Sequence, residues 1–174
     1  MSDKIKHKIY VRHSKVKVND RLPIPLIKHC ILVALDAEGV DLPCEVSVLV
    51  TDERSIRNIN REFREIDEPT DVLSFPMHGI SRRQSAIFNG WEAPDKDALD
   101  PETGLLPLGE IVLAAAIIGR QALEYGHSRD YETAYLTVHS VLHLLGYNHV
   151  DEAEGKKMMR EREKDIIGRI WGEG

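Results

Sequence analysis

Short runs rich in Val, Ile and Leu alternate along this chain with longer stretches of helical periodicity, and that alternation restricts the fold more than any other feature. Residues 8 to 18, "KIYVRHSKVKV", mix β-branched and aromatic side chains in partial alternation and predict a first strand. From Leu26 to about Ala37 the apolar residues Leu26, Ile27, Ile31, Val33, Ala34 and Leu35 fall at helical spacing, ended near Gly39. "CEVSVLVT" predicts a second strand, and "PTDVLSFP" a third, limited by its prolines to Asp71 through Phe75. "GEIVLAAA" predicts a buried strand running into a helix over "IIGRQALEYG", stopped by Gly126. Ser128 caps the next helix, with Asp130 and Glu132 in the first turn where the helix dipole favours carboxylates. "VDEAEGKKMMREREKDIIGRIW" predicts a charged amphipathic helix after it. These elements specify a mixed α/β (α+β) fold: a small mixed sheet of about four strands covered by helices in two or three layers.

With 174 residues the chain has the size of one domain, residues 1–174, able to bury a core without disulfides. The segment from Met77 to Leu106 is longer than loops in compact domains normally run, and carries Arg82 and Arg83. No apolar run approaches the length needed to span a bilayer, and the basic N-terminus lacks the apolar stretch of a signal peptide, so a cytoplasmic protein with no membrane partner is expected. Cys30 and Cys44 lack metal-like spacing and read as small buried hydrophobes. The net charge of −6 repels polyanions at long range, so any nucleic-acid contact must come from locally clustered Lys and Arg.

One such cluster lies in "DERSIRNINREFREID", capped by Thr51 or Asp52. Ile56, Ile59, Phe63 and Ile66 follow one helical stripe, and Arg54, Arg57, Arg61 and Arg64 follow another on nearly the opposite side. The first stripe is expected to face the core. A row of arginines on the other face is ordinarily a solvated surface, salted here by Glu62 and Glu65.

The sharpest chemical signal is "HSVLHLLGYNH". On a helix His139 and His143 differ by only about 40° in direction, the spacing used by zinc helices. Gly146 permits a left-handed turn that reverses the chain, so that His149 returns toward the same face. Three imidazoles with a vacant fourth position describe a catalytic zinc site, since structural sites close all four positions, usually with Cys. Peptidase helices read HExxH, with Glu as general base; Ser140 stands there instead and cannot deprotonate water at neutral pH.

Together, "HSVLHLLGYNH", "FREIDEPTDVLSFP" and "LGEI" resemble the YbeY family of metal-dependent endoribonucleases and rRNA maturation factors, over about residues 44 to 165. The resemblance implies a one-zinc, single-strand-specific endoribonuclease acting in 3′-end maturation of small-subunit 16S rRNA and in ribosome quality control. Its expected partners are single-stranded RNA or rRNA and the ribosome or a ribosomal protein. It implies that His139, His143 and His149 ligate the metal and that Arg64 supports catalysis. Phosphodiester cleavage builds charge on non-bridging oxygens that a guanidinium can bind at two points. The stripe then becomes an RNA-facing surface, with Arg64, Arg61 and Arg57 as substrate-binding residues. The chain departs from the family's usual pattern at Ser140, where members carry Gly, at Asn148, where they carry Asp, and in "LGEI" for LGDI. Two other functions fit the same residues: an rRNA-binding assembly factor with a mainly structural zinc, and a hydrolase of some other small or peptide substrate.

Overall fold

A computed structural model of the chain describes residues 4–77, 94, 96–147 and 153–172. Its centre is a four-stranded sheet of order β1-β2-β4-β3, formed by β1 (Lys8–His13), β2 (Cys44–Thr51), β3 (Val72–Pro76) and β4 (Leu106–Ala114). β1, β2 and β4 are mutually parallel and β3 runs antiparallel to β4, which gives the expected mixed sheet.

Alternation sorts β2 cleanly: Cys44, Val46, Val48 and Val50 are buried on one face, while Glu45, Ser47 and Leu49 point to the other. In β4 the alternation is interrupted. Pro107 pairs with Glu45 and Gly109 with Val46, so Leu108 is an extra residue, a bulge that reverses the parity of the strand. Leu106 before the bulge, Leu108 at it, and Ile111 and Leu113 after it therefore join the same core.

Helices α1 (Ile24–Ala37) and α4 (Arg129–Leu144) pack against that face of the sheet, and α5 (Ala153–Trp171) packs on both. Ile27, Ile31 and Leu35 follow one stripe of α1 and are fully buried; each contributes about 1.5–3 kcal/mol relative to exposure. Among the described residues the opposite face is covered at its β4–β3 side. There Ile56 of α2 (Glu53–Arg64) lies with Leu73, Val112 and Ala114, joined by Ile117 of α3 (Ala115–Tyr125). Asp52, one of the two proposed caps, accepts from the Ser55 N–H at 2.8 Å, and hydrogen bonding from Ser55, its side chain first and its N–H second, holds the carboxyl below the usual range. Gly126 and Ser128 also cap as expected, Gly126 in the left-handed region at φ 71° and Ser128 accepting from Tyr131.

Three expectations need correction. The first strand ends at His13 and does not continue to Val18, because Lys15 adopts φ 60°, which turns the chain away after the Ser14 N–H has bonded the Val50 carbonyl. The apolar stripe of α2 does not stay in the core: Ile56 is buried, but Phe63 is 65% and Ile66 48% exposed. α2 lies over only part of the sheet, and Glu65 in the left-handed conformation ends the helix before Ile66. The fourth strand begins at Leu106, three residues before "GEIVLAAA". The long segment before it contains a 3-10 turn at Lys96–Ala98 and a tight turn closed by Gly104 N–H on the Asp100 carbonyl, while residues 78–93 and 95, with Arg82 and Arg83, lie outside the described residues. Cys30 and Cys44 are buried and free, and burial pushes both thiols up to about 12. Among the described residues no helix is long and apolar enough to cross a membrane.

Candidate active site

α4 is buried along most of its length, and its two histidines emerge where it meets α5. His139 and His143, one helical turn apart, bring their Nε2 atoms to 3.1 Å of each other, with ring centroids 4.6 Å apart. Behind them stands Glu163 of α5, a buried carboxylate. Its Oε1 lies 2.7 Å from Nδ1 of His139 and its Oε2 accepts from the Tyr135 hydroxyl at 2.8 Å. Burial and the bond to Glu163 raise the Tyr135 pKa, so the phenol stays a donor.

These contacts define the tautomer of His139. An ionised carboxylate only accepts, so Nδ1 donates to Glu163 and Nε2 carries the lone pair, directed at His143. A buried carboxylate behind a ligating imidazole is the usual support of a histidine metal ligand. The spacing fits as well. Two nitrogens on a tetrahedral zinc with bonds of about 2.0–2.1 Å stand about 3.3 Å apart, close to the 3.1 Å between these atoms. Among the described residues two imidazoles converge and no group of three or more metal-ligating side chains is complete. His149, the third predicted ligand, and its neighbour Asn148 lie outside the described residues.

Glu163 and Tyr135 were not singled out from the sequence. Glu163 had a detectable signature nonetheless: it sits on the apolar stripe of α5 with Met159, Ile166 and Ile167, all buried. A carboxylate on such a stripe needs a partner. Ser140 turns away from the site: it is fully buried and its hydroxyl bonds the Leu136 carbonyl of its own helix at 2.8 Å.

Two features bring α4 and the chain after it into place. Gly109 in the β4 bulge has φ 152°, and a Cβ there would lie 2.4 Å from the Phe75 carbonyl oxygen and 2.7 Å from Leu144. Only glycine lets the last turn of α4, with His143, approach the sheet this closely. Beyond α4, Tyr147 donates to the buried Glu38 carboxylate at 2.7 Å, which Arg162 of α5 grips at 2.7 Å from its Nε. The chain is thus tied to α1 and α5 immediately before Asn148.

Arg64 is the last residue of α2, and its Nη2 donates to the Ser74 carbonyl of β3 at 3.1 Å, with the guanidinium 5.8 Å from the centre of the Phe75 ring. α4 packs on the same strand. The other predicted arginines differ from it: Arg57 bonds Asp67 through Nε at 3.0 Å and Arg61 approaches Asp67 at 3.7 Å, while Arg54 is exposed. Asp67 thus gathers two of the four stripe residues at an exposed ion pair.

The profile of the family described as endoribonuclease YbeY matches residues 8–170. The chain is 44% identical to the endoribonuclease YbeY of Clostridium kluyveri over 90% of its own length and 93% of that protein. It is 42% identical to that of Lachnoclostridium phytofermentans over 83% and 86%, and 44% identical to that of Clostridium botulinum strain Langeland over 91% and 95%. Among solved structures it resembles the solution structure of TM1509 from Thermotoga maritima, with a TM-score of 0.56 and 24% identity over 95% of this chain and 90% of that one, a likeness of fold. These relatives are named as nucleases, which disfavours the assembly-factor reading. On the extent of these matches, the chain belongs to the endoribonuclease YbeY family.

Proposed function

We propose that this protein is a zinc-dependent endoribonuclease that cuts single-stranded RNA in the cytoplasm. Its setting is 3′-end maturation of small-subunit 16S rRNA and ribosome quality control, in contact with the ribosome or a ribosomal protein. The observation that carries the reading is the pair of Nε2 atoms of His139 and His143 facing each other 3.1 Å apart, with Glu163 fixing the tautomer behind them. Membership of a family described by its endoribonuclease activity supplies the reaction class.

His139, His143 and His149 would hold one zinc ion, which when bound polarises a phosphate oxygen and brings the pKa of a bound water toward neutrality. The remaining work falls to the chain. Glu163 keeps a proton on Nδ1 of His139 and so preserves the Nε2 lone pair through the reaction. Arg64 is presented from the end of a helix and steadied by one bond to Ser74. Its guanidinium has five N–H donors, so several remain for the oxygens of a phosphate in the transition state. Ser140, bonded within its helix, takes no part.

The test is cleavage of single-stranded RNA by zinc-loaded protein beside His143→Ala and Arg64→Ala variants shown to be folded by their melting curves. The reading expects cleavage to vanish in the first and to fall about 10²–10³-fold in the second. Equal cutting by all three would identify a contaminant and refute it.

A further inference from the structure

Among the described residues α2 covers part of the second face of the sheet, and the part it leaves uncovered is a groove of about 650 Å³. Tyr10 and Arg12 of β1 form one end of this groove, with Lys28 beside them. Phe63 of α2 and Phe75 of β3 form the other, and Glu110 of β4 lies between. The two most outward aromatic side chains are bare: Tyr10 is 52% and Phe63 65% exposed. Phe63 meets Phe75 edge to face at 5.5 Å, and the guanidinium of Arg64, itself not part of the groove lining, lies 5.8 Å from the centre of the same Phe75 ring, so the proposed catalytic arginine stands beside that end of the groove.

Its charge opposes that of the whole chain. The protein carries −6 overall, yet among the described residues the groove is lined by Arg12 and Lys28 against a single carboxylate, Glu110, and Arg64 stands beside its Phe75 end. Among the described residues neither Arg12 nor Lys28 forms an ion pair. An apolar protein segment laid there would strip water from these cations without pairing them. A single-stranded nucleic acid suits every part: its bases offer flat faces to Tyr10 and Phe63, its phosphates pair with Arg12 and Lys28, and Glu110 accepts from an exocyclic amino group.

We propose that this open half-face is a base-stacking subsite for single-stranded RNA, holding nucleotides next to the one whose phosphate reaches Arg64. The inference rests on the nuclease reading for the identity of the strand. It does not depend on the metal.

The experiment measures binding of a short single-stranded RNA, and of an abasic strand of equal length, by fluorescence anisotropy on the full-length chain. It is repeated in the His143→Ala background so that strand cutting does not intrude. Tyr10→Ala and Phe63→Ala should each weaken binding of the RNA roughly tenfold, leave the abasic strand unchanged, and retain the parent melting temperature, since both side chains are largely exposed. Tyr10→Phe should bind as the parent does, because the aromatic face is kept. Arg12→Ala should lower the slope of log affinity against log salt by about 0.7, the contribution of one single-strand phosphate contact. Parent affinity in both alanine variants would overturn the proposal. So would a parent dimer that Tyr10→Ala dissociates with RNA affinity intact, which would make the groove an interface between copies. A protein that binds RNA through Tyr10 and Phe63 but cuts nothing would refute the nuclease reading and leave the subsite standing; one that cuts without needing either aromatic would do the reverse.

Discussion

Nδ1 of His139 and Oε1 of Glu163 lie 2.7 Å apart, joining the histidine helix to the helix that follows it through a carboxylate almost sealed from water. This contact sets which nitrogen of His139 carries the lone pair. Glu163→Gln keeps the volume but removes the charge that holds the proton on Nδ1, so zinc affinity should fall about 10–100-fold, as read by competition with a chelating dye. Tyr135→Phe, which deletes one hydrogen bond to the same carboxylate, should cost about 1 kcal/mol in denaturant unfolding.

Gly109 sits where α4 presses on the sheet. Alanine there would meet the Phe75 carbonyl oxygen at 2.4 Å and Leu144 at 2.7 Å from a backbone at φ 152°. Overpacking and backbone strain together predict a loss of about 3 kcal/mol or more, measured as a shift in the urea midpoint. Zinc affinity should fall as well, because Leu144 adjoins His143.

Arg162 is the cation of a largely buried pair, its Nε 2.7 Å from Oε1 of Glu38. Arg162→Met should destabilise by about 3–5 kcal/mol, since the Glu38 carboxylate stays buried without its charge partner. Adding Glu38→Leu should restore much of that loss. A double variant no more stable than the single one would contradict this account of the network.

His7 and His13 both accept hydrogen bonds from backbone N–H groups, those of Cys44 and Leu22, at 3.0 Å. Burial lowers the pKa of each below 6.5. The folded state therefore binds fewer protons than the unfolded chain. Stability from these rings is complete above pH 6.5, declines as the pH falls from 6.5 through the lowered folded values, and is lost below them. Unfolding free energy followed from pH 7.5 to 5 should flatten across about pH 5–6.5 when His7 and His13 are both replaced by Gln.

Much of the architecture was legible because it follows from local rules. The four strands, the caps at Asp52, Gly126 and Ser128, and the helical spacing of His139 and His143 each depend on residues a few positions apart. The errors arose where the decision was long-range. Phe63 shares a helical stripe with Ile56, but α2 lies over only part of the sheet, so the same periodicity leads into the core at one residue and over a groove at the other. The bulge at Leu108 had no signature beyond the glycine after it, because a change of register exists only relative to a partner strand.

From the order of its residues alone, this protein was committed to a mixed sheet under helices and to two imidazoles on one side of a helical turn. Periodicity along one element suffices for both. The identity of the carboxylate behind His139, the separation of Arg64 from its neighbours Arg57 and Arg61, and the half-face left open beside α2 were settled only when distant segments packed. Glu163 is 24 residues from His139 and Glu38 is 109 from Tyr147, and at such separations it is the shape of the core, not local pattern, that chooses partners.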